Sequence, residues 1–358
     1  MVLPTERDLG RNVKPDLLRL PEYKGSVLEF EGVKIQMDKG GWSFTHPDKG
    51  PVTIDTYSIW NPHHRQEIAE RLFRGQVCAM YIMGNYGVGQ VRVSPEWNQG
   101  GGNKNVILDE IKKRARVNNL VAFVDPDDVY PFIDKTRLPQ ELKGLRWAKQ
   151  RYSTYAGPQH NIVPVVDNGT VDKDLVREGD KTMAVFWIPG HWGYEEIGDK
   201  LRKLTKHGIF GGGSLNIHGE APCYTTRELY HELSAQPDWQ ENIDFIILDE
   251  LAESYRVGRS QTMVSFATFP PEAVRIGSLS VDKINEKTGA GIVENGEVKE
   301  ASSLTKYNMR NNAVSDGRVE GIMAKIKRYK EWYRANFERR HEKTPSFPQR
   351  PNMRPVLR

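Results

Sequence analysis

Cysteine is scarce in this chain, with Cys78 and Cys223 the two cysteines among 358 residues. Two cysteines cannot build a disulfide framework or a zinc site on their own. No run approaches the roughly 18 consecutive apolar residues that a membrane-spanning helix needs. The first residues also lack the basic stretch and apolar run of a secretory signal. We therefore expect a soluble, cytoplasmic protein in a reducing compartment, without membrane contact.

Several well-known catalytic motifs are also missing. The sequence contains no HExxH pair, no Cys/His cluster and no GxSxG turn. It contains neither the Gly-Lys-Ser/Thr of a phosphate-binding P-loop nor a GxGxxG dinucleotide fingerprint. These absences argue against a zinc protease, an α/β-hydrolase, a P-loop nucleotidase and a Rossmann dehydrogenase. No residue is predicted to ligate a metal directly.

Positive charge is concentrated at one end of the chain. The net charge is +4, yet residues 318–358 contain twelve Lys/Arg and four Asp/Glu. Tyr329, Trp332, Tyr333 and Phe337 are interleaved with these cations. Two interpretations stay open here. The segment could stack on and pair with RNA, or a helix could pack its aromatic side on the domain while the tail is solvated.

Three parts are predicted from the patterning. Residues 1–60 form a polar arm followed by a small β meander, and residues 61–285 form the main domain. Residues 286–358 contain a linker, a basic aromatic helix at about 318–340 and a Pro-rich tail. In the main domain strand-like apolar runs alternate with helical periodicity, which predicts an α/β fold with a mixed sheet. The strand-like runs are 77–83, 120–124, 162–166, 183–188 and 243–248, and the helical patterns are 64–73, 193–207 and 225–235.

A pair of cations precedes the predicted strand at 120–124. Lys112 and Arg114 are spaced by two and could clamp a polyphosphate, the lysine as a point charge and the arginine as a planar fork. The same residues would also suit an exposed helix end, where cations complement the helix dipole.

A glycine-rich segment runs from Gly211 to Gly219 and includes Ser214 and Asn216. Consecutive glycines let backbone N–H groups approach an anion closely. In an extended segment, residues spaced by two point to the same side. The Ser214 hydroxyl and the Asn216 amide could then hold phosphate oxygens or a ribose. A plain flexible turn is the alternative.

Two further polar positions border predicted strands. Ser260 and Thr262 belong to a polar loop that leads into a strand, and Arg275 follows between apolar neighbours. An arginine in that setting is either ion-paired at the surface or a phosphate ligand, and the pattern alone leaves both open.

Taken in order, these elements resemble the YrdC-like family of carbamoyl-adenylate-forming enzymes, whose best-known members are threonylcarbamoyl-AMP synthases. The resemblance covers roughly residues 62–285. The matching segments are Tyr86-Gly87-Val88-Gly89 (the end of PTxTxYGLG), Lys112 and Arg114 (KxR), Ala156-Gly157-Pro158-Gln159-His160 (PGPLT), Phe186-Trp187-Ile188-Pro189-Gly190-His191 (VRVPDHP), Ser214-Leu215-Asn216-Ile217-His218-Gly219 (SAN-x-SG), Ser260-Gln261-Thr262-Met263-Val264 (STVVD) and Val274-Arg275-Ile276-Gly277 (LRPG).

This resemblance implies a twisted open mixed sheet with flanking helices around a positively charged cavity. It also implies a nucleotidyltransferase that makes a carbamoyl-type adenylate from ATP, bicarbonate and an amino acid or related amine, or from a carbamoyl substrate, and releases pyrophosphate. Mg²⁺ is the expected helper ion. The implied ATP-binding residues are Lys112, Arg114, Ser214, Asn216, Ser260 and Arg275, the first two also catalytic, and the implied substrate-binding residues are Asn85, Tyr86 and Thr262.

Departures from the family pattern concern the amino-acid half of the site. Tyr81-Ile82 stand where the family has Pro-Thr, and Trp187 replaces the arginine of VRVP. These departures leave the acceptor open between threonine, another amine and a carbamoyl group. Expected partners are tRNA or another RNA at the basic C-terminal segment, and an enzyme that takes over the labile adenylate. A non-catalytic protein that binds RNA or a nucleotide in the same cavity is the alternative function.

Overall fold

The computed structural model describes residues 27–82, 85–91, 121–124, 130–138, 140, 159–166, 175–177, 179–187, 192–205, 210–217, 222–253, 261–277, 279–294, 299–300 and 316–335. The strands are β1 (Val27–Phe30), β2 (Val33–Gln36), β3 (Gly40–His46), β4 (Gly50–Ser58), β5 (Cys78–Ile82), β6 (Asn85–Val91), β7 (Val121–Val124), β8 (Gln159–Pro164), β9 (Val176–Arg177), β10 (Thr182–Trp187), β11 (Phe210–Ser214), β12 (Phe245–Leu248), β13 (Thr262–Ser265), β14 (Glu272–Ile276) and β15 (Lys299–Glu300). The helices are α1 (Pro62–Phe73), α2 (Trp192–Thr205), α3 (Thr226–Ala235), α4 (Pro237–Asn242), α5 (Glu250–Glu253), α6 (Val281–Thr288) and α7 (Asp316–Tyr333), with a short 3₁₀ turn at Tyr130–Phe132.

Thirteen of the described strands form one mixed sheet, and β1 and β2 form a separate hairpin. The order in the large sheet is β15-β14-β13-β8-β10-β7-β11-β6-β5-β12-β4-β3, with β9 beside β10. Strands β4, β12 and β5 run parallel, whereas β5, β6, β11 and β7 alternate in direction. The predicted α/β class with a mixed sheet and flanking helices is confirmed.

The N-terminal β segment divides between the two sheets. β4 pairs in parallel with β12 along Asp55–Ser58, so β3 and β4 extend the large sheet. Only β1 and β2 stand apart as a hairpin. Strands β3 and β4 are thus joined by backbone hydrogen bonds to the sheet of the main domain.

Helices cover both faces of the sheet at its β4 end. Tyr57 on β4 packs edge-on against His64 of α1, with ring centroids 5.5 Å apart. Trp42 on β3 lies on the opposite face and packs against Tyr230 of α3 at 5.4 Å. The alternation of side chains along β3 and β4 therefore supplies an apolar layer to each helix layer.

Helix α1 begins where the sequence pattern predicts it, because the residues before it form a cap. The Asn61 side-chain oxygen accepts a hydrogen bond from the backbone N–H of His63 at 2.9 Å, and Pro62 stands in the first turn. This pairing satisfies one of the free N–H groups at the helix start.

The C-terminal helix α7 packs onto the N-terminal part of the domain. The Tyr329 ring lies 4.7 Å from that of Trp60 and 5.3 Å from that of Phe30. Arg328 forms an ion pair with Glu31, with Nε and Oε1 3.0 Å apart. Tyr329 and Tyr333 are both buried. Their rings are not available to stack on bases, and the interpretation of a helix packed on the domain is confirmed.

Phe337 and the basic residues after 335 lie outside the described residues, so an RNA contact through them stays a prediction. Among the described residues no helix is long and apolar enough to cross a membrane.

Buried acidic residues lie under α7 at the carboxyl end of β12. Asp249 is fully buried and accepts a hydrogen bond from Trp60 Nε1 at 2.9 Å. The Glu250 carboxylate accepts bonds from the backbone N–H of Gln36 at 3.1 Å and from the Ser58 hydroxyl at 3.0 Å. Burial raises the pKa of Glu250 to about 8, and the neighbouring Asp249 adds to the effect.

Substitution Tyr329→Ala tests the docking of α7. The ring is 0% exposed, and removing a buried aromatic side chain typically costs about 3–5 kcal/mol in the free energy of unfolding. Urea denaturation should show this loss. The exposed Lys327→Ala on the same helix serves as the control and should stay within about 0.5 kcal/mol of the wild type. Equal effects of the two changes would mean that α7 does not pack as described.

Substitution Glu250→Gln tests the buried carboxyl group. Its folded-state pKa of about 8 lies above the ordinary value of 4.5, so the folded protein keeps a proton that the unfolded chain releases. The free energy of unfolding should therefore fall as pH rises from about 4.5 to 8. Glutamine removes this contribution, so the variant should match the wild type near about pH 5 and be the more stable protein near about pH 9. Denaturation curves at both pH values measure this, and parallel pH dependences would contradict it.

Candidate functional site

Ser214 and Asn216 lie side by side at the end of β11. The Ser214 hydroxyl donates to Asn216 Oδ1 at 2.6 Å, and Asn216 Nδ2 donates to the carbonyl of Ile217 at 2.9 Å. Leu215 between them is fully buried and points the other way. The predicted shared direction of the two polar side chains is thus present. Both remain partly exposed and can reach a ligand.

Arg275 on β14 is a partly buried cation held by a carbonyl group. Its Nε and Nη2 atoms donate to the backbone oxygen of Gln261 at 3.1 and 2.9 Å. No carboxylate in the described part of the chain forms an ion pair with it. Burial lowers the pKa of its guanidinium, an effect that the nearby Tyr224 opposes.

The charge of Arg275 is therefore not neutralised by the described residues. A partly desolvated charge without a counterion is costly, and proteins normally pair such groups with an opposite charge or a ligand. A guanidinium that spends two N–H groups on one carbonyl keeps its other donors for a second partner. Arg275 thus has the properties of an anion ligand, which was one of the two interpretations of the sequence.

His160 lies on β8, two strands away from Arg275 on β14. His160 on β8 pairs with Met263 on β13, which pairs with Arg275 on β14. Register partners share a face, so the three residues form one row across the sheet, and the β13–β14 register shifts by one residue directly after the Met263–Arg275 pair. Burial lowers the pKa of His160 to about 3, and the positive charge of Arg275 adds to the effect. The imidazole is therefore neutral at ordinary pH.

The same row connects this cluster to Ser214. From His160 it continues through the paired positions 186, 123 and 210 on β10, β7 and β11. Ser214 is four residues beyond position 210 on β11, and an even spacing keeps it on the same face. Ser214, His160 and Arg275 therefore occupy one face of the sheet.

The two faces of this part of the sheet differ in exposure. On one face Val264, Asn161 and Val185 are completely buried. On the face of His160 and Arg275, Met263 and Ser265 are partly exposed. The polar residues therefore lie on the half-open face of the sheet, where a ligand can approach.

The loop before α3 links the two ends of the candidate site. Tyr86 on β6 donates its backbone N–H to Cys223 at 2.7 Å, and its carbonyl accepts from Leu215 at 2.9 Å. Tyr224, next in the chain, is close enough to Arg275 to influence its pKa. Tyr224, in the described segment just before α3, thus lies near Arg275.

Two of the predicted substrate-binding side chains make internal contacts. The Tyr86 hydroxyl lies 2.8 Å from Thr226 Oγ1, and its ring packs 5.2 Å from that of Tyr81. Thr262 Oγ1 accepts from the backbone N–H of Gly277 at 3.0 Å and bonds to the Leu279 backbone. These contacts hold the β5–β6 hairpin and the loop after β14, and a substrate contact by either residue stays a prediction.

Other predicted site residues fall outside the described part of the chain. They are Lys112, Arg114 and Ser260, together with the side chains of Asn85 and Trp187. Their place relative to Arg275 stays a prediction. Among the described residues, no group of three or more His, Cys, Asp or Glu side chains could hold a metal ion.

Two residues of the site were not predicted from the sequence. His160 could have been identified, because it is a polar residue at the start of an apolar strand. The sequence analysis assigns it only to the end of the Ala156-Gly157-Pro158-Gln159-His160 segment. Tyr224 had no such signal, because its position near Arg275 depends on how a loop returns across the sheet.

No family model and no curated protein sequence matches this chain. Among solved structures it is similar to a Sua5 variant from P. abyssi, with a TM-score of 0.49, 21% identity, and 68% of this chain and 64% of that chain covered. P. abyssi Sua5 complexed with L-threonine gives 0.47 and 20%, with 77% and 76% covered. YciO from E. coli gives 0.46 and 16%, with 64% and 97% covered.

HypF in a phosphate- and nucleotide-bound form is more distant, with a TM-score of 0.39, 14% identity, and 67% of this chain and 26% of HypF covered. Sua5 and YciO belong to the YrdC-like group that the sequence motifs indicated. What those proteins bind is a property of those proteins alone at these identities and TM-scores.

Substitution Arg275→Met tests whether this cation awaits an anion. Pyrophosphate should raise the Tm of the wild type, because a ligand at about a hundred times its Kd stabilises by about 2.7 kcal/mol. The Arg275→Met variant should lose this shift. Without the anion, it should be about as stable as the wild type, because a buried charge without a counterion contributes little. Thermal unfolding with and without pyrophosphate measures both effects.

The matched control is Arg74→Met, an exposed arginine beside Glu70, which should keep the full shift. Equal pyrophosphate shifts in the wild type and in Arg275→Met would exclude Arg275 as the anion ligand.

Proposed function

We propose that this protein is an enzyme that makes a carbamoyl-type adenylate from ATP and releases pyrophosphate. The observation that carries the proposal is the partly buried Arg275, which no described carboxylate pairs with, on the same face of the sheet as Ser214. A cation of this kind beside a hydroxyl and an amide suits a phosphate chain. The ordered motif resemblance supplies the type of reaction.

The proposed reaction has two steps. An amine first combines with bicarbonate to give an N-carboxylate, with loss of water. One carboxylate oxygen then attacks the α-phosphorus of ATP, the bond to the bridging oxygen breaks, and pyrophosphate leaves with the electron pair. The product is a mixed anhydride of the carbamate and AMP. With carbamoyl phosphate as the substrate, hydrolysis to carbamate and inorganic phosphate would replace the first step, and the carbamate oxygen would then attack ATP.

Such a reaction needs alignment and charge stabilisation more than covalent help from the protein. Arg275 would hold the phosphate chain, on which negative charge accumulates as pyrophosphate departs. The Asn216 amide and the Ser214 hydroxyl are partly exposed and hydrogen-bonded to each other at the end of β11. These two would orient the phosphate or the ribose.

Lys112, Arg114 and Ser260 are assigned to the same ATP site from their motifs, with Lys112 and Arg114 as the main phosphate cations. Mg²⁺ commonly binds through substrate phosphates and a few carboxylates. The described residues offer no cluster of metal ligands, so no step of the proposed reaction is derived through the metal ion.

The acceptor is proposed to be an amine other than threonine. This inference rests on Tyr81-Ile82 and Trp187, which replace the residues of the family motifs at the amino-acid side. Tyr81 is fully buried, and its carbonyl accepts a hydrogen bond from Tyr194 at 2.6 Å. The hairpin that would border the acceptor is thus fixed by packing contacts.

Release of pyrophosphate from ATP tests the proposed function. The full chain is incubated with ATP, Mg²⁺ and bicarbonate and with threonine, other amino acids, simple amines or carbamoyl phosphate in turn. Products are identified by mass spectrometry. We expect release with at least one acceptor and an adenylate product. Ser214→Ala should lower kcat/KM by about 10²-fold, the usual effect of losing one positioned donor in a transition state.

Ser43→Ala provides the matched control. Ser43 is an exposed serine on β3 whose hydroxyl pairs with Thr53 Oγ1 at 3.2 Å, outside the candidate site. Its activity should stay near that of the wild type. Absence of turnover with every acceptor, with tight ATP binding retained, would favour the non-catalytic nucleotide-binding alternative. Turnover that Ser214→Ala and Lys112→Ala leave unchanged would place the reaction elsewhere.

A further inference from the structure

Tyr86 joins two separate points of the chain through its backbone. Its carbonyl accepts a hydrogen bond from the backbone N–H of Leu215 at 2.9 Å, and its own N–H donates to the carbonyl of Cys223 at 2.7 Å. In a β-strand, the N–H and C=O groups of one residue point to the same side. Leu215 and Cys223 are therefore held at the same edge of β6, and residues 216–222 connect these two points.

Leu215 stands between the two polar residues of the candidate site. Ser214 is the register partner of Gly87 on β6, and the N–H of Leu215 continues this pairing one residue beyond the end of β11. The Ser214 hydroxyl donates to Asn216 Oδ1 at 2.6 Å. A shift of Tyr86 would therefore move the backbone that carries both polar side chains.

The Tyr86 side chain lies on the other face of the sheet from Ser214. Gly87 and Ser214 share a face as register partners, and successive residues of a strand alternate, so Tyr86 faces the opposite way. Its ring is 0% exposed and packs 5.2 Å from that of Tyr81. The Tyr86 hydroxyl is thus shielded from the face on which a ligand would meet Ser214.

The hydroxyl of Tyr86 meets the first residue of α3. It lies 2.8 Å from Thr226 Oγ1, and Thr226 is buried. The start of α3 is itself fixed, because Thr225 Oγ1 accepts from the backbone N–H of Glu228 at 3.2 Å, and the Glu228 carboxylate accepts from the N–H of Tyr224 at 2.6 Å. Bonds of this type satisfy free N–H groups at a helix start. The hydroxyl pair therefore ties Tyr86 to a fixed helix end.

We propose that Tyr86 is a positioning residue for the nucleotide: its hydroxyl pair with Thr226 anchors the Tyr86 backbone, which in turn holds Ser214 and Asn216 where they meet the phosphate or ribose. The inference rests on the proposed function and deepens it. It gives Tyr86, which the family resemblance placed in contact with the substrate, a role behind the sheet. Preorganised polar groups lose less freedom when a ligand binds, so this anchor contributes to affinity.

ATP binding to the full-length protein tests the proposal, measured by calorimetry with Mg²⁺ but without bicarbonate or acceptor. Tyr86→Phe removes the hydroxyl and keeps the ring that packs on Tyr81. The Kd for ATP should rise about fivefold to tenfold, the equivalent of one lost hydrogen bond. Thr226→Val should raise the Kd by the same factor, and the double variant should bind no more weakly than either single variant, because both changes remove the same contact. Thr226→Ser keeps a hydroxyl and should bind ATP like the wild type.

Tyr57→Phe is the matched control. The Tyr57 hydroxyl donates to Glu67 Oε1 at 2.7 Å, away from the candidate site on β4, and Tyr57 is as fully buried as Tyr86. Urea denaturation should show a loss of stability in both phenylalanine variants, whereas only Tyr86→Phe should weaken ATP binding. An equal loss of affinity in the two variants would mean general destabilisation and would overturn the proposal.

Steady-state constants separate positioning from substrate contact. Tyr86→Phe should raise the KM for ATP and leave the KM for the acceptor unchanged. A raised acceptor KM with unchanged ATP affinity would overturn the proposal and place the hydroxyl at the acceptor. A Thr226→Val variant that binds ATP like the wild type would also overturn it, since the hydroxyl pair would then carry no effect.

Failure of the proposed function gives a different result. Absence of pyrophosphate release with every acceptor, together with the expected affinity pattern, would remove the enzymatic function and leave Tyr86 as a positioning residue of a nucleotide-binding protein. Pyrophosphate release by a Tyr86→Phe variant that binds ATP like the wild type would remove the positioning role and leave the enzyme.

Discussion

The guanidinium of Arg275 binds a backbone carbonyl where most partly buried arginines bind a carboxylate. This contact leaves the charge of Arg275 without a described counterion on the half-open face of the sheet. Among the described residues no carboxylate lies against this cation, and burial together with the charge of Arg275 lowers the pKa of the nearby His160. Ser214 and Asn216 are candidate phosphate-binding residues because Ser214 lies on the same face of the sheet as this charge and Asn216 is hydrogen-bonded to Ser214. Without it, they would be an ordinary hydrogen-bonded strand end.

The other half of the molecule has the opposite electrostatic character. At the carboxyl end of β12, acidic groups are enclosed by the N-terminal hairpin and by α7, and they are satisfied by Trp60, Gln36 and Ser58. The chain thus has one acidic cluster that its terminal segments enclose and one cationic side chain on the half-open face of the sheet, and burial by the terminal segments distinguishes the two.

Local patterns predicted the elements well. The apolar runs at 77–83 and 243–248 became β5 and β12, and the Asn61-Pro62 start became a capped helix, because periodicity and capping act over a few residues. Strand order was not predictable, since β12 pairs with strands that are far away in sequence. For the same reason the sequence paired Ser214 with Asn216 correctly but missed His160 and Tyr224, whose proximity to Arg275 arises from register across several strands. The positions of Lys112, Arg114 and Ser260 lie outside the described residues and stay predictions.

The placement of β4 beside β12 has a consequence for how this protein can be divided. A fragment that starts near residue 61 would retain most of the motifs but would strip the neighbour from an apolar strand in which all four residues are buried. Unpaired N–H and C=O groups along such a strand are a template for association with other chains. Strands β3 and β4 thus act as a protective border of the sheet, and a shortened version of the chain would tend to aggregate even if the face that carries Ser214 and Arg275 were complete.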